Sequence, residues 1–100
     1  MYMETKQKVN VFVGLDNKTH RINNTYYRRV LKIVNSYFKG YSLLNSVGYW
    51  NGIKEESLII SIIDNRINLE SVNNMVEQLK SELKQESILI EYFKVDCEFK

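Results

Sequence analysis

The dipeptide Asn51-Gly52 narrows the possible folds more than any other feature of the chain. A type I′ turn requires positive φ at both central residues, and Asn-Gly meets that demand better than most pairs. It sits between two stretches that read as strands. Residues 41–50 are aromatic and aliphatic, with Ser42, Asn45, Ser46 and Gly48 interspersed, and residues 57–63 are apolar nearly throughout, as a strand at the centre of a sheet is. Residues 53–56 either continue the second arm of the hairpin or form a longer loop. The middle of the chain is therefore an antiparallel hairpin, and the remainder has to pack around it.

On each side of the hairpin a strand pattern and a helix pattern alternate. Val9, Val11, Val13 and Leu15 alternate with Asn10, Phe12 and Gly14, the period of a first strand over residues 8–15. After a polar loop, Asn23, Asn24 or Thr25 caps a helix reaching Phe38. Tyr27, Val30, Leu31, Val34 and Phe38 form its expected buried stripe, with Arg28, Arg29, Lys32, Asn35 and Lys39 outward and Gly40 ending it. Asn68 caps a second helix, in which Val72, Met75, Val76, Leu79 and Leu83 recur at helical spacing. Ile88, Ile90 and Tyr92 then alternate with Leu89, Glu91 and Phe93 in a fourth strand. Val95, Cys97 and Phe99 continue as a short fifth strand or as an arm that pairs with a partner.

The order β-α-β-β-α-β is the split βαβ of ferredoxin-like folds. The expectation is an α+β sandwich with two helices on one face of an antiparallel sheet, a single domain over residues 8–100 behind a polar arm at 1–7. The second face of the sheet is left bare, with Phe12, Tyr49 or Trp50, and Phe93 as candidates to lie there. Such a face serves as a homodimer interface or as the floor of a ligand site.

Several residues match a known pattern. Gly14-Leu15 follows the first strand, Gly48-Tyr49-Trp50 with Gly52 gives a G-x-W-x-G hairpin, and Gln85-Glu86-Ser87 precedes the fourth strand. With the apolar strand at 58–63 and Cys97-Glu98-Phe99 at the end, the chain resembles the small DUF3574 domain family, with relatives in Firmicutes and their phages. The resemblance implies a ferredoxin-like fold and brings no activity with it.

Composition limits the function classes. With 100 residues, 44% hydrophobic, the core is modest, and self-association is a natural supplement. The lone cysteine, Cys97, forms no internal disulfide, and the apolar stretch at 58–63 falls far short of the ~20 residues of a membrane helix. A cytoplasmic protein is expected, which keeps its N-terminal arm because no apolar segment of a signal peptide follows the first lysines. Heavy use of Asn, Lys and Ile points to an AT-rich genome, such as that of a phage or a low-GC bacterium. There is no Gly-rich phosphate loop and no CxxC, and one histidine gives no H-x-x-x-H, so no cofactor or metal is expected.

The net charge of +2 conceals an asymmetry. Residues 1–50 carry eight Lys/Arg against two Asp/Glu, and residues 51–100 carry six against ten. The basic excess gathers at Lys18, His20, Arg21, Arg28, Arg29 and Lys32, in the loop before the first helix and in its first two turns. Helix N-termini attract anions through the macrodipole and unpaired N–H groups, so an anion site is expected there. The plain alternative is a solvated basic face. His20 is also a candidate general acid or base, since an imidazole titrates near neutrality, but the sequence supplies no partner for that role.

Seven tyrosines and one tryptophan are many amphipathic rings for this length. Tyr26, Tyr49 and Trp50 are the candidates to stack on a ligand, against the simpler reading that they fill the core and an interface. Nucleic acid is not the expected partner, because the strand at 57–63 is aliphatic where an RNA-recognition sheet presents aromatics. Glu55-Glu56 would set carboxylates near Trp50, or simply solvate a turn. Cys97, between Val95 and Phe99, reads as a small buried hydrophobe.

These residues lead to a first expectation: a non-enzymatic, homo-oligomeric binding protein that holds a small anionic or nucleotide-like ligand. Lys18, His20, Arg21, Tyr26, Arg28, Arg29, Tyr49 and Trp50 would line the site. In a phage such a protein would act against host defence, by sequestering a signal molecule or by docking on a defence protein. Two alternatives come from other classes. One is a small cofactor-free enzyme of the dimeric ferredoxin-like type; the other is a protein-interaction module that augments a partner's sheet.

Overall fold

In the computed structural model, which describes residues 3–14 and 23–100, the elements follow the expected order. They are β1 (Glu4–Gly14), α1 (Asn24–Asn35), β2 (Ser42–Trp50), β3 (Ile53–Asp64), α2 (Leu69–Leu83) and β4 (Leu89–Cys97). The strands form one antiparallel sheet in the order β2-β3-β1-β4. This is the ferredoxin-like α+β sandwich.

The turn explains the hairpin. Asn51 has φ 49° and Gly52 has φ 75°, so both central residues take the left-handed conformation of a two-residue turn. Trp50 therefore faces Ile53 directly, and β3 starts at Ile53 with no longer loop at 53–56.

Alternation in β1 and β3 divides the sheet into two faces. Val9, Val11 and Val13 of β1 and Leu58, Ile60 and Ile62 of β3 point toward the helices and are buried. They pack against Tyr26, Val30, Ile33 and Val34 of α1 and against Val72, Met75, Val76, Leu79 and Leu83 of α2 in one core. The α2 stripe is the one its spacing predicts. Asn68 caps α2 by accepting from the Ser71 N–H at 3.1 Å, and Gln7 reaches from β1 to accept from the Ile67 N–H just before it, at 2.6 Å.

The α1 stripe differs from the expectation by a rotation. Tyr26 and Ile33 are buried, Tyr27 is exposed, and Leu31 is half-buried. The Asn23 side chain accepts from the Tyr26 N–H at 2.9 Å and starts the helix so that Tyr26 faces the sheet. The helix stops at Asn35, short of Phe38 and Gly40: the Ser36 N–H bonds back to Ile33, and its hydroxyl donates to the same carbonyl at 2.6 Å. Phe38 still packs on the core from the connection that follows.

Two boundaries also move. β1 begins at Glu4, so residues 4–7 of the expected polar arm are strand, held by pairing with β4 from Cys97 to Lys94. β4 in turn runs unbroken through Val95 and Cys97, which removes the separate fifth strand. Polar side chains at Thr5, Lys6 and Gln7 mask this pairing in the sequence, because the end of an exposed two-strand pair has no apolar period to display. Cys97 is half-buried opposite Glu4. Among the described residues, no helix is long and apolar enough to cross a membrane.

Candidate ligand site at the base of the β2–β3 ribbon

The hairpin outruns the rest of the sheet. β1 ends at Gly14, opposite Ser57, which lies opposite Ser46. Past that row, among the described residues, only β2 and β3 remain paired, from Val47 opposite Glu56 to Trp50 opposite Ile53. A two-stranded ribbon thus projects from a molecule 48 Å long and 31 by 22 Å across. Because directly opposed residues share a face, Gly48, Glu55, Trp50 and Ile53 continue the helix-free side, and Tyr49 and Val47 the helix side. Tyr49 and Trp50, candidates for one aromatic surface, are thus split between two faces, 71% and 69% exposed.

A hollow of about 700 Å³ lies on the helix-free side at the base of the ribbon. Small residues make its floor: Gly14, Ser46, Ser57 and Gly48 lie in two adjacent rows. A Cβ at Gly48 would meet nothing within 4 Å. Phe12 and Ile53 form apolar walls, and Gln85, from the turn after α2, closes one end. The Gln85 side chain reaches so far over the sheet that a Cβ at Gly14 would lie 2.7 Å from its Oε1. Glu55 supplies a carboxylate on this side, while Glu56, opposite Val47, directs its own to the helix side. Glu56 is paired with Lys54 at 3.6 Å, whereas Glu55 makes no ion pair among the described residues.

A second hollow, of about 360 Å³, lies across the sheet at the α1 N-terminus. Asn23, Asn24 and Tyr27 line one side and Asn45, Val47 and Glu56 the other. The first turn of α1 carries no acidic residue, so its positive end is not offset locally. Gly14 and Asn23, which border the two hollows, are the last and first described residues on either side of segment 15–22. Lys18, His20 and Arg21 belong to that segment and lie outside the described residues.

The other expected site residues are dispersed. Tyr26 is 2% exposed, and its hydroxyl donates to the Gly14 carbonyl at 2.5 Å, so its ring fills the core and has no face to offer a ligand. Arg29 points along α1 toward α2 and donates to the Glu82 carbonyl. With Lys32, Gln78 and Glu82 it borders a separate hollow of about 330 Å³ between the helices. Arg28 is exposed on α1. The expected patch thus divides: Arg29 and Lys32 lie in a groove between helices, away from the ribbon.

Gln85, Gly48, Ser46 and Ser57 are not among the expected site residues, while Phe12 lies on the bare face where the alternation of β1 expects it. Gly48 and Gln85 do carry a signal, since both fall within the short motifs noted above. A further hollow of about 620 Å³ at the start of α2 includes Arg66, Tyr37 and Tyr41. The tyrosines there are engaged within the fold: Tyr37 donates to Gln78 Oε1 at 2.7 Å and Tyr41 to Asn35 Oδ1 at 2.5 Å. Among the described residues, no three His, Cys, Asp or Glu side chains gather closely enough to hold a metal ion.

No family model matches the chain, and no curated protein does. Solved structures share its fold. CPII, a nitrogen regulatory PII-like protein from Thiomonas intermedia bound to ADP, AMP and bicarbonate, superposes with TM-score 0.58 at 10% identity, covering 99% of each chain. A phage SAM lyase in its apo state superposes with TM-score 0.59 at 21% identity, over 94% of this chain and 91% of that one. A DUF3240-family protein from Shewanella baltica gives TM-score 0.58 at 12% identity, over 89% of each chain. At these identities the likeness is one of fold.

Proposed function

We propose that this chain binds a small anionic, nucleotide-like molecule in the hollow at the base of the ribbon. The observation that carries the reading is the hollow itself. Its volume of about 700 Å³ falls in the range of small-molecule sites, and its glycine and serine floor lets a ligand approach the backbone. Phe12 offers a ring edge or face to a base, Gln85 an amide to its polar edge, and Glu55 an acceptor for sugar hydroxyls. Lys18, His20 and Arg21, which follow Gly14 in the chain, supply the cations for a phosphate or carboxylate, and Trp50 lies farther out on the same side of the ribbon. Two proteins of this fold fit such a ligand by description: CPII, seen with ADP and AMP, and a lyase named for SAM, an adenosine-bearing sulfonium.

The test is native mass spectrometry of gently purified protein, followed by calorimetric titration with AMP, ADP and S-adenosylmethionine. Retained mass, or saturable binding that Gly48→Leu abolishes, supports the proposal. Absence of binding to all three, with no retained small molecule, overturns it. In a phage, removal of such a molecule from the host is the anti-defence role that this reading implies.

An enzymatic reading is favoured by one observation: Glu55 is a carboxylate without an ion-pair partner among the described residues, on the wall of the same hollow. There a carboxylate attracts a sulfonium or accepts a proton from a bound substrate. Incubation with S-adenosylmethionine and chromatographic analysis of the products separates the two readings. Cleavage lost in Glu55→Gln with binding retained makes the chain an enzyme, and unchanged ligand makes it a binder.

A further inference from the structure

We propose that Gln85 decides which base the hollow accepts, selecting adenine over oxopurines such as hypoxanthine, and that Gly14 is the positioning residue that gives Gln85 its place. The proposal rests on the nucleotide-like ligand argued above and names its base. It starts from the reason for a glycine at position 14. Gly14 is the last described residue of β1 and has no positive φ, so its backbone does not call for glycine. Its neighbour does. A Cβ there would lie 2.7 Å from Gln85 Oε1, 3.6 Å from its Cδ and 3.9 Å from its Nε2, so the carboxamide rests on the space that a side chain would fill.

Alternation in β1 fixes the side on which that carboxamide lies. Val9, Val11 and Val13 face the helices and are buried, so a Cβ at position 14 would project with Phe12 to the helix-free side. The Gln85 amide therefore sits one same-face step from Phe12, roughly 7 Å along the strand. A flat heterocycle laid against the Phe12 ring turns its edge toward that amide. The backbone of Gln85 is held from behind. Lys84 takes the left-handed conformation, with φ 54° and ψ 45°, and the N–H groups of Lys84 and Gln85 both donate to the Lys80 carbonyl, the second at 3.0 Å. A carboxamide offers an acceptor and a donor side by side, which complements the N6 amino group and N7 of adenine. An oxopurine presents two acceptors along the same edge, and one of them would face Gln85 Oε1 without a proton between them.

The test is calorimetric titration of the full chain with AMP and with inosine monophosphate, which carries the oxopurine on the same ribose phosphate. AMP should bind tighter by about ten-fold or more. Gln85→Ala should weaken AMP by a similar factor and leave inosine monophosphate unaffected, which erases the preference. Gly14→Ala should do the same, because its methyl group displaces the carboxamide. The free end of a flexible side chain moves at little cost, so the melting temperature of Gly14→Ala should stay close to that of the parent. The double variant should bind AMP no more weakly than Gln85→Ala alone, since the methyl group then has nothing to displace. Equal affinity of the parent for the two nucleotides, or AMP binding unchanged in Gln85→Ala, overturns the role of Gln85 and leaves the ligand site standing. Losses that add in the double variant overturn the role of Gly14. Binding of neither nucleotide removes the ligand reading, and this proposal with it.

Discussion

The Tyr26 hydroxyl donates to the carbonyl of Gly14 at 2.5 Å, joining the first turn of α1 to the last residue of β1. The bond ties together two described positions between which Lys18, His20 and Arg21 fall in the sequence. It also holds Gly14 in place beneath the Gln85 side chain, at the edge of the proposed ligand site.

Replacing Tyr26 by Phe keeps the ring in the core and removes the bond to Gly14. A net loss of about 1 kcal/mol is expected, which in a domain of this size lowers the melting temperature by about 4–8 °C. Scanning calorimetry checks the stability change. If segment 15–22 takes part in binding, affinity for the ligand falls in the same variant although Tyr26 itself touches none. A melting temperature within 1 °C of the parent would show that the bond contributes nothing.

Gly48→Leu separates the fold from the site. Gly48 is exposed in β2, has no positive φ, and has open space where a side chain would project. Leucine is better suited than glycine to a strand interior, so the melting temperature should hold or rise slightly. The same side chain would fill the floor of the hollow, and calorimetric titration should show binding weakened by at least ten-fold. Unimpaired binding would place the ligand elsewhere.

Arg28 and Arg29 are adjacent in sequence and separated in role. Arg29 reaches the Glu82 carbonyl near the C-terminal end of α2, where a cation offsets the helix dipole. Arg29→Ala should lower stability by about 1 kcal/mol or less and leave ligand affinity alone. Arg28→Ala should leave the melting temperature unchanged. Thermal melts of both variants with and without ligand check the pair, and a loss of affinity in Arg29→Ala would return the helix groove to consideration as the site.

How far the sequence is legible varies with the physics of each part. The α2 stripe and the Asn51-Gly52 turn were readable because each is set by local chemistry: helical spacing in one, positive φ in the other. The α1 stripe misled by one residue because Tyr26 and Tyr27 are equally apolar, and the Asn23 cap decides which of them faces the sheet. The start of β1 escaped because Thr5, Lys6 and Gln7 are held by a partner 91 or fewer residues away and carry no period of their own. The hollow was least legible. Its floor is set by small residues that the register brings together, Gly14 opposite Ser57 and Ser57 opposite Ser46, from three separate stretches of sequence. Charge draws the expectation toward Arg28 and Arg29, whereas the hollow lies beside Gly48 and Gln85.

The turn itself can be tested without any ligand. Gly52 has φ 75° in a conformation that places an L side chain close to the adjacent backbone, at a cost of about 1–2 kcal/mol. A Cβ there meets no other atom within 4 Å, so Gly52→Ala isolates the backbone term from packing. The expected loss is about 1 kcal/mol in urea unfolding, seen as a lower midpoint with an unchanged slope. Asn51 already holds φ 49°, and Asn51→Gly should shift the midpoint in the opposite direction or leave it unchanged. If Gly52→Ala leaves the midpoint where it is, the ribbon does not depend on the two-residue turn. The exposed rows from Val47 to Ile53 would then owe their pairing to contacts outside the single chain, because an isolated two-stranded ribbon is marginal in water.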